Sequence, residues 1–448
     1  VVVFQNFHHR VRCLIVYRYI QGALSKFLIS ILIMMTFFSV AAAAKELNVV
    51  LFSMPYSRAL AKMEGDFEKK TGIAVNIQVM GQDLFERSHY RSTFGNDVDS
   101  NQSNEVDVIH TPIIQLQKWI KAGYLKPITE QVNQLESKGD ILKGPLNSYW
   151  VNESYWAVPF QAGIGMMAYR KDIFEAAGIS SPPKTWEDVL SVAEKIHSEE
   201  TAAIAMRVAP GQGFNMFVYP QIMRAYGGTF FKNYPHDLTP NMNTPEGTKA
   251  LDLYSELMSD YGPQGIEMYN FNDVVSAMQN GEVAMIFDAS TIVAQTLDKK
   301  KSKYADNIDI AAVPEGPAGR SPAMAVHGLG VPSSAKDIDK SFAFIKWATS
   351  EEVLTKIALS DRFADFTRTS VGQNEQVIEK YNTIHPGFIK LRVQMLNEAI
   401  AHYRPLIPQW PAIGQVVGEN ISDAVNGFST SQEALQASDE DIADIMDQ

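Results

Sequence analysis

Tyr155-Trp156-Ala157-Val158-Pro159-Phe160-Gln161-Ala162-Gly163-Ile164-Gly165-Met166-Met167-Ala168-Tyr169 is the stretch on which the fold turns. It reads as an extended apolar passage broken by a proline and two glycines. A strand that leaves one sheet and enters another needs such permissive joints, because glycine lets backbones approach and bend without a side chain in the way. The passage therefore predicts a crossing between two lobes. A second glycine-interrupted apolar run, Ala323 to Val331, predicts another.

Outward from this crossing, strands and helices alternate. Leu47 to Phe52 is a short apolar run, Ala59, Met63 and Phe67 form a helical stripe closed by Thr71-Gly72, and Ile73 to Val79 alternates as a strand. Val106 to His110 then precedes a helix over Pro112 to Tyr124. Downstream, Thr185 is placed to cap an amphipathic helix, Pro245 to Met258 reads as a helix, and Val283 to Phe287 and Ile308 to Val313 read as strands. From Ser341 onward the pattern is mainly helical. Repetition of strand and helix predicts an α/β architecture with parallel sheets covered by helices.

The N-terminus has a different character. Arg10, Arg12, Arg18 and Lys26 precede an uncharged run from Phe27 to Ala44 that ends in four alanines, the order of a secretory signal. The rival is an uncleaved anchor, since the run reaches the lower edge of membrane-spanning length. Cleavage near Ala44, expected within two residues of Lys45, would also remove Cys13, the single cysteine in the sequence. The mature chain would then hold no disulfide, no thiolate and no cysteine to lipidate.

Net charge is -12, and removing the four basic residues of 1–44 leaves 35 basic against 51 acidic side chains, or -16. Such a surface repels nucleic acid and anionic lipid at long range, so neither is expected as a partner. Enzyme motifs are weak or missing. Gly163-Ile164-Gly165-Met166-Met167-Ala168 fits a dinucleotide-binding glycine pattern, yet Pro182-Pro183 stands where the acidic residue for the ribose belongs. No zinc-protease, nucleophile-elbow or phosphate-loop motif occurs. A glycosidase pair among the abundant carboxylates stays open as a distant alternative.

Several pieces then carry a resemblance. Lys45-Glu46-Leu47-Asn48-Val49, Phe67-Glu68-Lys69-Lys70-Thr71-Gly72-Ile73, Glu105-Val106-Asp107-Val108, Val158-Pro159-Phe160 through Lys171-Asp172, Pro183-Lys184-Thr185-Trp186, Gly281 to Met285 and Phe344-Ile345-Lys346-Trp347 run in order along 45–440. The ordered set resembles the family 1 extracellular solute-binding proteins, which include maltose- and glycerol-phosphate-binding receptors of ABC importers. Phe287-Asp288-Ala289-Ser290, His327-Gly328-Leu329-Gly330-Val331 and Arg404 to Pro411 look closest to receptors for polyols and small sugars. The polar stretch Asp97 to Glu105 and the acid at Asp288 depart from the usual pattern.

The resemblance implies a two-lobed periplasmic binding protein fold of type II, with crossing hinge strands and a ligand held in the interdomain cleft. Expected domains are a signal peptide at 1–44, lobe 1 from 45–160 plus 323–350, and lobe 2 from 161–322 plus 351–448. It implies a periplasmic monomer that passes a sugar or polyol to a membrane permease of an ABC importer, with no catalytic residue, metal or cofactor. A glycerol-phosphate-like or short oligosaccharide ligand is the alternative.

A polyhydroxylated ligand exchanges water hydrogen bonds for protein ones, so planar donors and acceptors should ring it and aromatic faces cover it. Candidate contacts are Tyr56 after the first strand, Asp107 at a central strand and Gln161 at the crossing. Phe214 and Asn215 follow a glycine-rich turn, and Asp288 either accepts from hydroxyls or caps the helix near Ser290. His327, Arg368 and Arg404 are polar candidates, and Trp410 is the expected stacking platform. Each has a packing rival: aromatic packing for Tyr56 and Trp410, plain loop packing for Phe214 and Asn215, orientation of loop backbone for Asp107, pairing with strand backbone for Gln161, a satisfied core or hinge histidine for His327, and structural salt bridges for the arginines.

Overall fold

The computed structural model describes residues 46–81, 106–135, 137–360, 364–399 and 403–447. The expected signal peptide and the polar stretch Asp97 to Glu105 lie outside the described residues. The first unit is β1 (Leu47–Phe52), α1 (Pro55–Ala61), α2 (Glu64–Thr71) and β2 (Val75–Met80), followed by β3 (Val108–Pro112) and α3 (Ile113–Lys121). Strand β1 pairs in parallel with both β2 and β3. The Thr71-Gly72 stop works as the sequence predicts: Gly72 takes φ 71° and donates its N–H to the Glu68 carbonyl at 2.8 Å. Only glycine enters that left-handed turn without a Cβ penalty.

The crossing passage is one continuous 14-residue strand, β4 (Ala157–Arg170), buried along its whole length. Continuous burial follows from its position, covered on both faces, and explains why it reads as mostly apolar rather than as an alternation of apolar and polar residues. The main sheet system also holds β5 (Ala202–Ala205), β6 (Val283–Ala289), β7 (Ile308–Ala311) and β8 (Met324–Pro332), with the two-residue strand Leu125–Lys126 paired to β8. The order is β2-β1-β3-β8-β4-β6-β5, with β7 also on β4.

Strand β4 changes neighbours midway. Ala157 to Ile164 pairs antiparallel with β8, whereas Gly165 to Arg170 pairs antiparallel with β6 and β7. The joint falls at Gly165 for a packing reason: a Cβ there would sit 2.5 Å from Gln221 Oε1. That oxygen is already committed, accepting the Ala323 N–H at 2.7 Å just where the chain enters β8. One glutamine thus ties both crossings together.

Helices cover the sheets. Those that frame the site are α4 (Asn215–Ala225), α5 (Ser290–Thr296), α6 (Glu351–Ser360), α7 (Phe388–Glu398) and α8 (Trp410–Val425). Sequence-predicted starts hold closely: Thr185 caps the Trp186–Ile196 helix through a capping box, its Oγ1 accepting the Asp188 N–H at 3.0 Å. The helix foreseen from Pro245 runs Pro245–Ser259. Helix α6 is tied to α2 by Lys70 to Glu352 at 2.7 Å and Lys356 to Asp66 at 3.2 Å. The result is an α/β fold of two lobes joined by crossing strands.

Candidate ligand-binding site

Parallel strands present loops and helix starts at their C-terminal edge, and two such edges converge where β4 and β8 cross. Gln161 of β4 and His327 of β8 are cross-strand partners there. Around them gather two groups of buried polar side chains.

The first group centres on Asp365, 1% exposed. Ser290 and Thr291, in the first turn of α5, both donate hydroxyls to its two carboxylate oxygens, Ser290 at 2.5 Å. Ser290 Oγ also accepts the Ile164 N–H at 3.1 Å, so this hydroxyl links α5 to the crossing strand. Arg392 of α7, fully buried, lies with Nε 3.8 Å from Asp365 and donates Nη2 to the carbonyls of Ala162 and Phe366 at 2.8 and 2.9 Å. Burial pushes the Asp365 carboxyl up, an effect opposed by the Arg392 charge and by hydrogen bonds from Ser290, Thr291 and Gln161. Three atoms here make no hydrogen bond to a described residue: Gln161 Oε1 and Arg392 Nε and Nη1.

The second group is basic. His110 Nε2 and His327 Nδ1 are 2.9 Å apart, and His110 Nδ1 lies 3.5 Å from Ser57 Oγ. Burial, then the His327 ring, holds His110 well below its ordinary value. Burial, then the charge of Arg404, lowers His327 to about 4. Both imidazoles are neutral at neutral pH, which lets one ring donate to the other. Arg404 donates Nη1 to the Gln212 carbonyl, while its Nε has no hydrogen-bond partner among the described residues.

Behind this group, Arg207 grips Asp288 through two parallel bonds, from Nε at 2.9 Å and from Nη2, and donates Nη1 to the Gly213 carbonyl at 2.6 Å. The Arg207 guanidinium also lies 4.5 Å from the Phe217 ring centroid and 5.4 Å from that of Phe271. Asp288 is fully buried, and it also accepts the Ala289 N–H at 2.6 Å. Its acceptors are thus taken up by protein donors.

The ten expected contacts separate accordingly. Gln161, His327 and Arg404 come together at the crossing, and Phe214 stands half-buried nearby, stacked 6.3 Å from Phe271. Tyr56 is fully buried, edge-on to Phe160 at 5.9 Å, and feels the Asp365 and Arg392 charges from the core side. Asn215 spends both amide atoms on backbone, donating to Gly418 at 2.7 Å and accepting from Gly211 at 3.2 Å. Asp107 precedes β3, at the strand end away from the cluster, and accepts the Asn48 N–H at 2.9 Å.

Arg368 is a clasp between structural segments. It donates to the carbonyls of Thr349 and Ser137 and pairs with Asp140 at 3.3 Å. Trp410, the expected platform, is fully buried in α8, edge-on to Phe230 at 5.0 Å and against Gly414. Tyr56, Asp107, Asn215, Arg368 and Trp410 are thus each held by protein contacts, while Trp410 Nε1 makes no hydrogen bond to a described residue.

The sequence reading missed His110, Arg207, Asp365 and Arg392. Two left a trace: Arg207 breaks the apolar run at the end of β5, and Arg392 shares a helical face with Phe388 and Met395, both buried. A charged side chain on an apolar face is informative because it needs a partner.

Two surface hollows lie elsewhere: about 330 Å³ among Arg58, Lys62, Asp66 and Lys356, and about 430 Å³ among Gln117, Trp150, Tyr234 and Ile407. Neither is lined by any of the ten candidates. Among the described residues, no group of three or more metal-ligating side chains and no helix long and apolar enough to cross a membrane is found.

The profile of the bacterial extracellular solute-binding protein family matches residues 54–354. The mannitol-binding protein of Pseudomonas aeruginosa is 26% identical over 363 residues, covering 77% of this chain and 81% of the relative. An ABC transporter solute-binding protein of Agrobacterium vitis S4, solved with bound D-mannitol, superposes with a TM-score of 0.76 at 26% identity, over 90% of this chain and 98% of its own. Another, from Agrobacterium radiobacter K84 in complex with ribitol, has the same fold with a TM-score of 0.78 at 22% identity, over 88% and 97%. With most of its length matched and its polar side chains converging between two lobes, this chain belongs to the bacterial extracellular solute-binding proteins.

Proposed function

We propose that this protein captures a sugar alcohol or small sugar between its lobes and delivers it to the membrane permease of an ABC importer, acting as a periplasmic monomer without chemistry of its own. The observation that carries the reading is the polar cluster at the crossing. There Ser290 and Thr291 hydroxyls sit on the Asp365 carboxylate, the arrangement a polyol's hydroxyls would adopt, while buried donors of Arg392 and Arg404 lack partners among the described residues. The mannitol-binding relative and the mannitol-bound structure support the ligand class.

The proposed contacts are Gln161, Phe214, His327, Arg404, Asp365 and Arg392, with Asp288 acting through Arg207 as a positioning residue. Residues 1–44 are proposed as the removed signal peptide. The lobe division is proposed at Ile164/Gly165, where β4 changes partners, rather than at 160/161, and α6 is assigned to the first lobe because its ion pairs run to α2.

Isothermal calorimetry of the exported protein against mannitol, sorbitol, ribitol, arabitol, common monosaccharides and disaccharides tests the proposal. Binding of at least one polyol at about micromolar affinity or tighter, roughly -8 kcal/mol, with the ligand recovered unchanged, is expected. Silence across the panel, or conversion of a bound compound, would overturn it.

A further inference from the structure

The charges of the cluster nearly cancel, and the remainder is informative. Arg207 pairs with Asp288, Arg392 faces Asp365, and Arg368 meets Asp140. Arg404, only 5% exposed, has no carboxylate within 4 Å among the described residues. The charged or titratable neighbours that act on it are the Tyr403 phenol and Arg207, and Arg207 repels it. His327, on which Arg404 acts in turn, is neutral. Among the described residues the cluster therefore carries one buried positive charge in excess, inside a protein whose net charge is -12. A buried charge is normally paired, because desolvation without a partner is costly.

A specific donor is left over. Nη1 of Arg404 is spent on the Gln212 carbonyl, whereas Nε has no hydrogen-bond partner among the described residues. Tyr403 lies under the guanidinium, its ring centroid 4.5 Å away, and its hydroxyl forms no well-aligned bond. The open position is thus Nε–H, on a guanidinium whose Nη1 is already committed. An N–H on a buried guanidinium fits a carboxylate oxygen through a charge-assisted hydrogen bond.

We propose that Arg404 receives the carboxylate of an acidic sugar derivative, an aldonate of polyol length, so that the site accepts the oxidised counterpart of its sugar alcohol as well. The inference rests on the reading of the cluster as the solute site. A carboxylate matches the excess of one charge. A phosphate monoester, carrying nearly two negative charges at neutral pH, would overcompensate it and needs more donors than one guanidinium N–H supplies. The acidic surface slows the approach of any anion, so the selectivity is local.

Calorimetry at pH 7 with D-mannitol, D-mannonate and D-mannitol 1-phosphate tests this on the exported protein and on Arg404→Lys, which keeps the charge but loses the planar fork. D-Mannonate is expected to bind the parent within about tenfold of D-mannitol and more tightly than the phosphate ester, and Arg404→Lys is expected to weaken D-mannonate at least about tenfold more than D-mannitol. Binding of D-mannitol without D-mannonate overturns the carboxylate assignment and leaves the polyol reading standing. Equal weakening of both ligands also overturns it, since Arg404 would then be reading hydroxyls alone. Binding of neither removes the solute site and this inference with it. Should Arg404→Lys fail to fold, the order of the three ligands on the parent decides.

Discussion

Asp365→Asn is the perturbation that bears hardest on the site. The substitution keeps the shape of the side chain and removes its charge. It leaves Arg392, fully buried, without the one carboxylate that lies 3.8 Å from its Nε. It also converts two hydroxyl-to-carboxylate bonds, from Ser290 and Thr291, into weaker neutral ones and forces an amide NH₂ against one of the two hydroxyls. Removing one partner of a buried ion pair costs about 3–5 kcal/mol, because the other charge is stranded. For a cooperative unit of this size, roughly 2 °C is lost per kcal/mol, so a fall in melting temperature on the order of 5–10 °C is expected by calorimetric scan. Asp365→Asn combined with Arg392→Gln should recover part of that loss, since the stranded charge is gone. The reasoning fails if the single variant melts with the parent, or if the double variant loses the sum of two single effects with no coupling.

Four further outcomes follow. Trp410→Ala should lower stability by about 3–5 kcal/mol in denaturant titration, because it empties a fully buried site against Phe230; unchanged stability with abolished binding would restore the stacking role. Arg207→Met should destabilise by about 3–5 kcal/mol through the stranded Asp288 carboxylate, and Asp288→Leu added to it should be better tolerated. Gly165→Ala places a methyl 2.5 Å from Gln221 Oε1 and should cost about 1–3 kcal/mol, with loss of exchange protection at the Ala323 amide. His327 has a folded value of about 4 against about 6.5 unfolded, so its contribution is full above pH 6.5 and is lost as pH falls toward 4. That loss amounts to about 3 kcal/mol over the window, and His327→Gln should flatten the slope.

What local patterns could reveal, they revealed. The crossing at 155–169 becomes β4 because an apolar run with proline and glycine has few other places in an α/β chain. The Thr185 cap and the Gly72 stop follow from hydrogen bonds made within four residues. Site chemistry is decided at longer range: Asp288 lies 81 residues from Arg207, and Asp365 lies 75 from Ser290. Arg368 and Arg404 make the difference plain. Both are arginines in loop-rich stretches, and sequence weighed them alike; folding brings Asp140, 228 residues away, to one and, among the described residues, no carboxylate to the other. Trp410 shows the same limit, since flanking by Gln409 and Pro411 carries no information about Phe230, which lies edge-on to the indole.

The cluster also indicates why closure should depend on ligand. Its members come from both lobes and from both crossing strands: Gln161 on β4, His327 on β8, Ser290 and Thr291 on α5, Arg392 on α7. With the lobes together, Gln161 Oε1, Arg392 Nε and Nη1 and Arg404 Nε are buried without hydrogen-bond partners among the described residues. Each such atom costs about 1–3 kcal/mol, more where the group is charged, so closure over an unfilled cluster is penalised by several kcal/mol. Shifting a two-state balance from 1:99 to 99:1 takes about 5.5 kcal/mol of differential affinity. A ligand that satisfies these four atoms supplies an amount of that order, and only in the closed form, because in the open form water serves the same groups. Hydroxyls or a carboxylate that reached only one lobe would gain the same energy in either state and move nothing. Under the proposed reading, these three donors and the Gln161 acceptor are the groups through which a bound solute would hold the lobe pair closed.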